Sequence, residues 1–343
     1  MKRIVSSIDP FLTFLIGAVI LATLLPARGE VAEALGVATG FAIAALFFLH
    51  GARLSRQAVM AGIGHWRLHL AVLGSTFVLF PILGLLTRAG AAPFVHEYIL
   101  AGFLYLCLLP STVQASIAFT AVAGGNVPAA VCSATLSNVL GVFVTPALVS
   151  VFLHAGGQMG ADSALSAMRS IALQLLAPFI VGHLCRPLLI GLIERYRPLL
   201  GIADRTSVML VVYTAFSAAV VEGIWGRLSA SDLIAVLALS AVLLAVVVAA
   251  TNYGGKLLGF SREDRIALVF CGSKKSLVSG VPMAGVLFPA ATVGSIILPL
   301  MLFHQMQMML CAVMARRFAA EGKRIADALA RTDRAAATEG DAP

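Results

Sequence analysis

Long apolar runs constrain this chain more than any other feature of its sequence. Leu233–Ala250 is an almost unbroken aliphatic run, and Phe41–Leu49 is another. About 20 such residues cross the hydrocarbon core of a bilayer as a helix, where backbone groups must satisfy their own hydrogen bonds. Of the 343 residues 60% are hydrophobic and only 12% are charged, which is about half the charged fraction of a soluble domain. The sequence therefore predicts an all-α polytopic membrane protein, with the lipid bilayer as its first partner.

Short polar connections separate the apolar runs and predict about ten transmembrane helices. The predicted spans are 10–27, 31–51, 68–87, 97–122, 127–153, 166–190, 203–223, 231–255, 265–288 and 292–316. In this interpretation residues 1–320 form one transmembrane domain. Residues 321–343 form a polar cytoplasmic tail that begins as a short helix.

The placement of charge predicts the orientation. Basic residues such as Arg53, Lys256 and Arg262 lie on alternate connections and in the tail, whereas acidic residues such as Glu97 and Asp232 lie on the others. This asymmetry follows the positive-inside rule and predicts a plasma (inner) membrane protein with both termini in the cytoplasm. Because the basic residues lie between apolar spans, the net charge of +8 does not indicate binding of nucleic acid.

A Gly/Ser-rich connection near Ala155–Ser166 divides the ten spans into two sets of five. An odd number of spans forces the second set to insert upside down, which is the inverted-repeat arrangement of many secondary transporters. The predicted repeats cover about 8–155 and 165–318.

The fourth span of the first half is interrupted. Pro110 lies in the middle of an apolar stretch, and proline breaks a transmembrane helix by removing a hydrogen bond. Thr112, Ser116 and Thr120 follow at i, i+4 and i+8, so they share one helix face, and Gln114 adds an amide beside them. The next span contributes three more candidate binding residues: Asn126, Ser133 and Ser137.

The ninth span, in the corresponding place of the second half, is interrupted as well. Gly272, Gly280 and Pro282 break its apolar run, and two lysines stand among serines. A lysine at bilayer depth costs roughly 2.5–3.5 kcal/mol on insertion scales, so it normally faces a cavity or a partner. The candidate binding residues of this half are Ser273, Lys274, Lys275, Ser276 and Ser279.

Two broken spans that cross near the bilayer midplane would form one central polar site. The freed carbonyl groups suit a cation, and the N-terminus of a half-helix suits an anion. Two structural alternatives stay open from the residues alone. Serines and prolines also serve helix packing, and either Lys274 or Lys275 could extend its ammonium to the inner membrane surface.

Several stretches resemble the bile acid:sodium symporter superfamily. The resemblance is strongest to its bacterial symporter branch, which is related to the seventh member of the human bile-acid carrier family. It rests on FLHGARLS (Phe48–Ser55), TFVLFPILG (Thr76–Gly84), LLPSTVQASIAFTAVAGGNVPAAVCSATLSN (Leu108–Asn138), CGSKKSLVSGVPM (Cys271–Met283) and HQMQMMLCAVMARR (His304–Arg317). The resemblance implies a panel domain, a core domain with broken, crossing fourth and ninth helices, and transport of an organic anion with two sodium ions.

The chain departs from that family at the positions that would hold sodium. Alanines (Ala130 and Ala134) stand where the resemblance implies hydroxyl ligands, the third-span glutamine falls near Thr76, and Cys271 replaces a glutamate. Sodium prefers several oxygen ligands, including carboxylates. A sodium site near Ser116, Asn126 and Cys271 is the one metal site left open, and no other cofactor is expected.

The sequence therefore favours a secondary active transporter that moves a small or amphipathic organic anion by alternating access, coupled to sodium or protons. The alternative is a non-transporting membrane regulatory or scaffold protein. A third hypothesis, an intramembrane hydrolase that uses Ser276 and Lys275, is disfavoured because adjacent helical residues point about 100° apart. The chain is not expected to be an enzyme, and its sequence specifies no oligomeric state.

Overall fold

The computed structural model describes residues 10–53, 62–153, 172–223, 226 and 229–340, and all of its regular structure is helical. The helices are α1 Pro10–Leu24, α2 Gly29–Arg53, α3 Trp66–Ala91, α4 Glu97–Leu108, α5 Gln114–Val122, α6 Val127–Phe152, α7 Leu173–Arg195, α8 Arg197–Val221, α9 Ala230–Leu257, α10 Arg262–Gly272, α11 Leu277–Leu287 and α12 Ala290–Gly340.

Seven helices in the described ranges are long and apolar enough to cross a membrane: α2, α3, α6, α7, α8, α9 and α12. Every predicted span falls on one of the helices or on a broken pair, α4 with α5 and α10 with α11. The connection Ala155–Ser166 and the start of the span 166–190 lie outside the described residues.

Side-chain caps define where several helices begin. Ser229, Ser261 and Ser276 each accept a hydrogen bond from the backbone N–H three residues later, at the starts of α9, α10 and α11. Asn126 does the same at the start of α6. Such caps satisfy donors that an apolar environment would otherwise leave unpaired.

The helices pack in two groups. One group contains α1, α2, α7 and α8, with α2 crossing α7 and α1 packing on α8. The α2–α7 crossing is so close that a Cβ on Gly51 would lie 1.9 Å from the carbonyl oxygen of Phe179, and one on Gly182 would lie 2.0 Å from that of Phe48. The remaining helices form the second group, and α8 packs on α11 and α12.

The last helix differs from the prediction. A short helix followed by an irregular tail was expected after residue 320, but α12 is continuous from Ala290 to Gly340. The reason is composition, because 319–340 is rich in alanine, the best helix former, and contains no proline. Arg262, at the start of α10, donates to the carbonyl oxygen of Phe318 and so fastens α12 where its extension begins.

Candidate functional site

The two helix breaks lie against each other. Ser276 N–H donates to the carbonyl oxygen of Pro110 at 2.9 Å, and the Ser111 hydroxyl donates to the carbonyl oxygen of Cys271 at 2.5 Å. The Ser116 hydroxyl donates to the carbonyl oxygen of Phe270 at 2.9 Å. Each interruption therefore supplies hydrogen-bond partners for backbone groups that the other interruption leaves free. Buried backbone N–H and C=O groups require such partners.

Helix α6 supports both breaks. Its Ser137 hydroxyl accepts from Ser111 N–H at 3.1 Å, and its Asn138 side-chain oxygen accepts from the Ser279 hydroxyl at 2.9 Å. Thr145, on the same helix, donates to the carbonyl oxygen of Leu108 at 2.8 Å, at the end of α4. One helix thus holds the polar groups of both halves in place.

The ammonium of Lys275 is fully buried and surrounded by backbone carbonyl groups. Its Nζ lies 2.6 Å from the oxygen of Leu109, 2.9 Å from that of Cys107 and 2.9 Å from that of Thr76. It also stands 4.1 Å from the ring centroid of Phe80. An ammonium has three N–H groups, so these three carbonyl groups match its donors.

These carbonyl groups are available because of local backbone structure. Cys107 and Leu109 lie at the C-terminal end of α4, where carbonyl groups lose their helical partners and the helix dipole favours a cation. Thr76 lies in a π-helical turn, Ser75–Leu79, inside α3. Such turns disturb the regular ladder of helix hydrogen bonds and are frequent at functional sites.

The main chain of Lys275 is held by α12. Gln307 accepts from Lys275 N–H at 3.0 Å and donates to its carbonyl oxygen at 3.0 Å. Its amide nitrogen also lies 2.9 Å from Nδ1 of His304. This backbone position is therefore fixed from the side opposite to the ammonium.

Lys274 is also buried, but its ammonium has a different environment. Nζ donates to the carbonyl oxygen of Ala115 at 2.9 Å and stands 4.1 Å from the ring centroid of Phe119 and 5.2 Å from that of Phe270. The two adjacent lysines thus place their charges in separate surroundings, Lys275 against α3 and α4 and Lys274 against α5 and α10.

The hydroxyl face predicted from sequence is buried. Thr112 and Ser116 lie 3.1 Å apart, oxygen to oxygen, and Thr120 donates to the carbonyl oxygen of Ser116 at 2.8 Å. Helix α5 begins at Gln114, so Thr112 belongs to the break rather than to the helix. Gln114 itself is exposed and does not join the buried set.

The other candidates are spread around the breaks. Ser133 lies 2.6 Å from Nδ1 of His69, and Ser273 donates to Val269 O at 2.6 Å. Ser276 donates to the hydroxyl of Ser279 at 3.1 Å. That contact, and the engagement of Lys275 with carbonyl groups, leave no Ser276–Lys275 pair of the kind a hydrolase would need.

Sodium ligation does not fit the residues suggested for it. Asn126 pairs with Asp264 (2.7 Å) at the start of α10, seven residues or about 10 Å of helix from Cys271. The Ser116 hydroxyl is engaged with backbone, and Cys271 offers a sulfur. Hard cations need several oxygens together, and in the part of the chain described here the best carbonyl set is already occupied by the Lys275 ammonium.

Several polar residues of this site were not among the candidate binding residues predicted from sequence. They are Ser75, Thr76, Tyr105, Ser111, Asn138 and Gln307. The signal that could have identified these residues from the sequence is a polar side chain in an otherwise apolar span. For Gln307 that signal does not identify the partner, which is a backbone group 32 residues away in sequence.

A helical bundle with apolar outer surfaces, whose two broken helices meet at buried lysines, defines a multi-pass membrane protein with a polar site inside its spanning region. The sequence matches the SBF-like CPA transporter family over residues 9–320, and the chain belongs to that family. It is therefore a member of a transporter family and not of an enzyme family, as predicted.

Three relatives illustrate the range of similarity. "Uncharacterized protein PA2026" of Pseudomonas aeruginosa is 52% identical over 322 residues, covering 94% of this chain and 96% of the relative. "Putative symporter YfeH" of Escherichia coli (strain K12) is 50% identical over 311 residues, covering 91% and 93%. "Sodium/bile acid cotransporter 7" of Danio rerio is 28% identical over 283 residues, covering 80% and 82%.

Proposed function

We propose that this protein is a secondary transporter that moves a small or amphipathic organic anion by alternating access across the inner membrane, with weak dependence on sodium. The observation that carries the proposal is the Lys275 ammonium, held by three carbonyl oxygens at the meeting point of the two broken helices. Its relatives include a protein named as a symporter and others named as sodium/bile acid cotransporters.

The helix arrangement supports ten crossings in two inverted repeats. Helices α1–α6 and α7–α12 each contain one broken pair in the fourth place, α4 with α5 and α10 with α11. The first span of each half packs on the second span of the other, as α1 does on α8 and α7 on α2. Such reciprocal packing is what a two-fold axis in the membrane plane produces. Both termini are then cytoplasmic.

Lys275 supplies a tethered positive charge where a transported cation would otherwise be needed. Carbonyl groups at the end of a broken helix carry partial negative charge and attract a cation. Because a covalently attached ammonium already neutralises them, a sodium ion is not required to stabilise the crossing. The charge is fixed to the protein, so it does not travel with the substrate.

The test is uptake into proteoliposomes with all sodium replaced by choline. Benzenesulfonate is a suitable labelled probe because it is permanently anionic and does not cross lipid in a protonated form. We expect uptake by the parent protein to change less than about twofold on sodium replacement, Lys275→Met to abolish it and Lys275→Arg to retain part of it, because a planar guanidinium cannot reproduce the three contacts. Lys256→Met, an exposed lysine, is the matched control.

Two results would overturn this proposal. A strict sodium requirement in the parent together with normal uptake by Lys275→Met would show that the lysine is only an anchor. Absence of uptake of the probe, with folded protein in the vesicles, would favour the non-transporting regulatory or scaffold protein.

A further inference from the structure

The two buried lysines differ in how fully their charges are compensated. Three carbonyl groups accept from Lys275, whereas in the described ranges one carbonyl group, that of Ala115, accepts from Lys274. The faces of Phe119 and Phe270 lie beside the ammonium, and the thiols of Cys271 and Cys311 are near enough to interact with it electrostatically. Lys274 therefore retains donor capacity that Lys275 has used.

Neither lysine has a carboxylate partner among the described residues. The ion pairs found there are Arg53–Asp204, Arg88–Glu97 and His96–Asp232. A buried charge without a partner of opposite sign is strongly unfavourable. The carbonyl cage offsets this cost for Lys275, but one carbonyl group and two rings do so only in part for Lys274.

The cover over Lys274 is thin. Ala115 and Phe119, which contact the ammonium, are only half-buried, and both lie on α5. On the same helix Gln114 and Ala118 are exposed, so the residues that cover Lys274 lie next to an exposed face of α5. Phe119 and Phe270 stack at 5.9 Å between ring centroids, and Phe119 is the more exposed of these two rings beside the ammonium.

We propose that Lys274 is the counterion for the anion in this transporter, reached through the open face of α5, with Phe119 as a displaceable cover and the Gln114 amide at the entrance. Lys275 does not contact the anion. The inference rests on the proposed function and narrows its substrate class. The ligand has one compact anionic group, a carboxylate or a sulfonate, attached to an apolar body, because Met314 and Phe318 pack beside the two rings.

The experiment measures thermal unfolding of the purified full-length protein in detergent and choline buffer. A ligand that binds the folded state raises Tm in a concentration-dependent manner. We expect benzenesulfonate to raise Tm of the parent and the uncharged benzenesulfonamide to leave it unchanged. Lys274→Met removes the response to benzenesulfonate, whereas Lys274→Arg keeps part of it. Lys256→Met is the control for loss of one positive charge.

Two further measurements keep the test decisive. Lys274→Met itself should unfold at a temperature no lower than the parent, because it replaces a poorly compensated buried charge with an apolar side chain of similar length. Phe119→Leu, which retains Lys274 but removes the ring above it, should lower the benzenesulfonate concentration needed for half of the maximal shift. Phe119→Leu decides the question if Lys274→Met does not fold.

The proposal is overturned if benzenesulfonate does not stabilise the parent, or if Lys274→Met responds as the parent does. The outcomes also separate it from the proposed function. Sodium-independent uptake that persists in Lys274→Met would overturn this inference alone. A stabilisation that depends on Lys274, in a protein that transports nothing, would overturn transport and leave anion binding intact.

Discussion

The side-chain amide of Gln307 forms two hydrogen bonds with the main chain of Lys275, one with its N–H and one with its carbonyl oxygen, each at 3.0 Å. In an unbroken helix those groups would bond four residues along the same chain. The Gln307 side chain thus supplies the two hydrogen bonds that a continuous helix would have given the main chain of Lys275.

Replacing Gln307 by leucine should destabilise the protein markedly. The change leaves the buried N–H of Lys275 without its partner, at about 1–3 kcal/mol, and leaves its carbonyl oxygen with only the longer contact to Nδ1 of His304 at 3.4 Å. Thermal unfolding in detergent measures the effect. Gln305→Leu is the control, because Gln305 is half-buried on the same helix and its side-chain oxygen has no partner in the described residues. Equal losses in the two variants would contradict the role given to Gln307.

The α2–α7 crossing should not tolerate a methyl group. Alanine at Gly51 or Gly182 would place its Cβ about 2 Å from a backbone carbonyl oxygen, closer than any real contact, so the helices must separate. We expect either variant to lower Tm and the yield of monodisperse protein. Gly40→Ala on α2, where a Cβ meets nothing within 4 Å, should be neutral or stabilising by up to about 1 kcal/mol.

Asn126 should act as a helix cap rather than as an ion ligand. Its side-chain oxygen accepts from Ala129 N–H at 3.1 Å while its amide donates to Asp264. Asn126→Ala should cost about 0.5–2 kcal/mol of stability, the usual loss for an N-cap. Asn126→Asp keeps the cap but places two carboxylates together, so it should be intermediate at neutral pH. A change in sodium dependence with unchanged Tm would refute this role.

Both termini should face the cytoplasm, with the connection between the halves outside. A cysteine at Gly157, which lies outside the described residues, and one at Glu321 should react with a membrane-impermeant maleimide from opposite sides of intact cells. The partly exposed Cys185 is replaced by serine in both proteins to reduce background labelling. Reaction of both introduced cysteines from the same side would remove the basis for inverted halves.

The sequence predicted helix positions well, because a segment that crosses lipid must be apolar and must satisfy its own backbone hydrogen bonds. Pro110 and the Gly272–Pro282 region marked the two interruptions, and both lysines of the ninth span were among the candidate binding residues. These features follow from local chemistry: a missing N–H, a flexible backbone and a charge in an apolar span.

The partners of those residues could not be predicted in the same way. Thr76 contributes its backbone oxygen and not its hydroxyl, and no side-chain pattern reports which carbonyl groups a π-helical turn exposes. Gln114 was included as an amide near the hydroxyl face, but it lies on the exposed face of α5, because two helical residues separate it from Ser116 by about 200° of rotation. Helix rotation is decided by packing between segments that are distant in sequence.

The length of α12 has a mechanical consequence. Its 51 residues extend about 75 Å, more than twice the thickness of a bilayer core. The part beyond Phe318 is about 33 Å long. The hydrogen bond from Arg262 to the carbonyl oxygen of Phe318 links it to α10, so movement of α10 would tilt it. A tilt of about 10° at this pivot would displace the tip of the helix by roughly 6 Å. A fluorophore near the end of α12 would thus report, from the aqueous side, movements of the broken helix that are too small to detect at the lysines themselves.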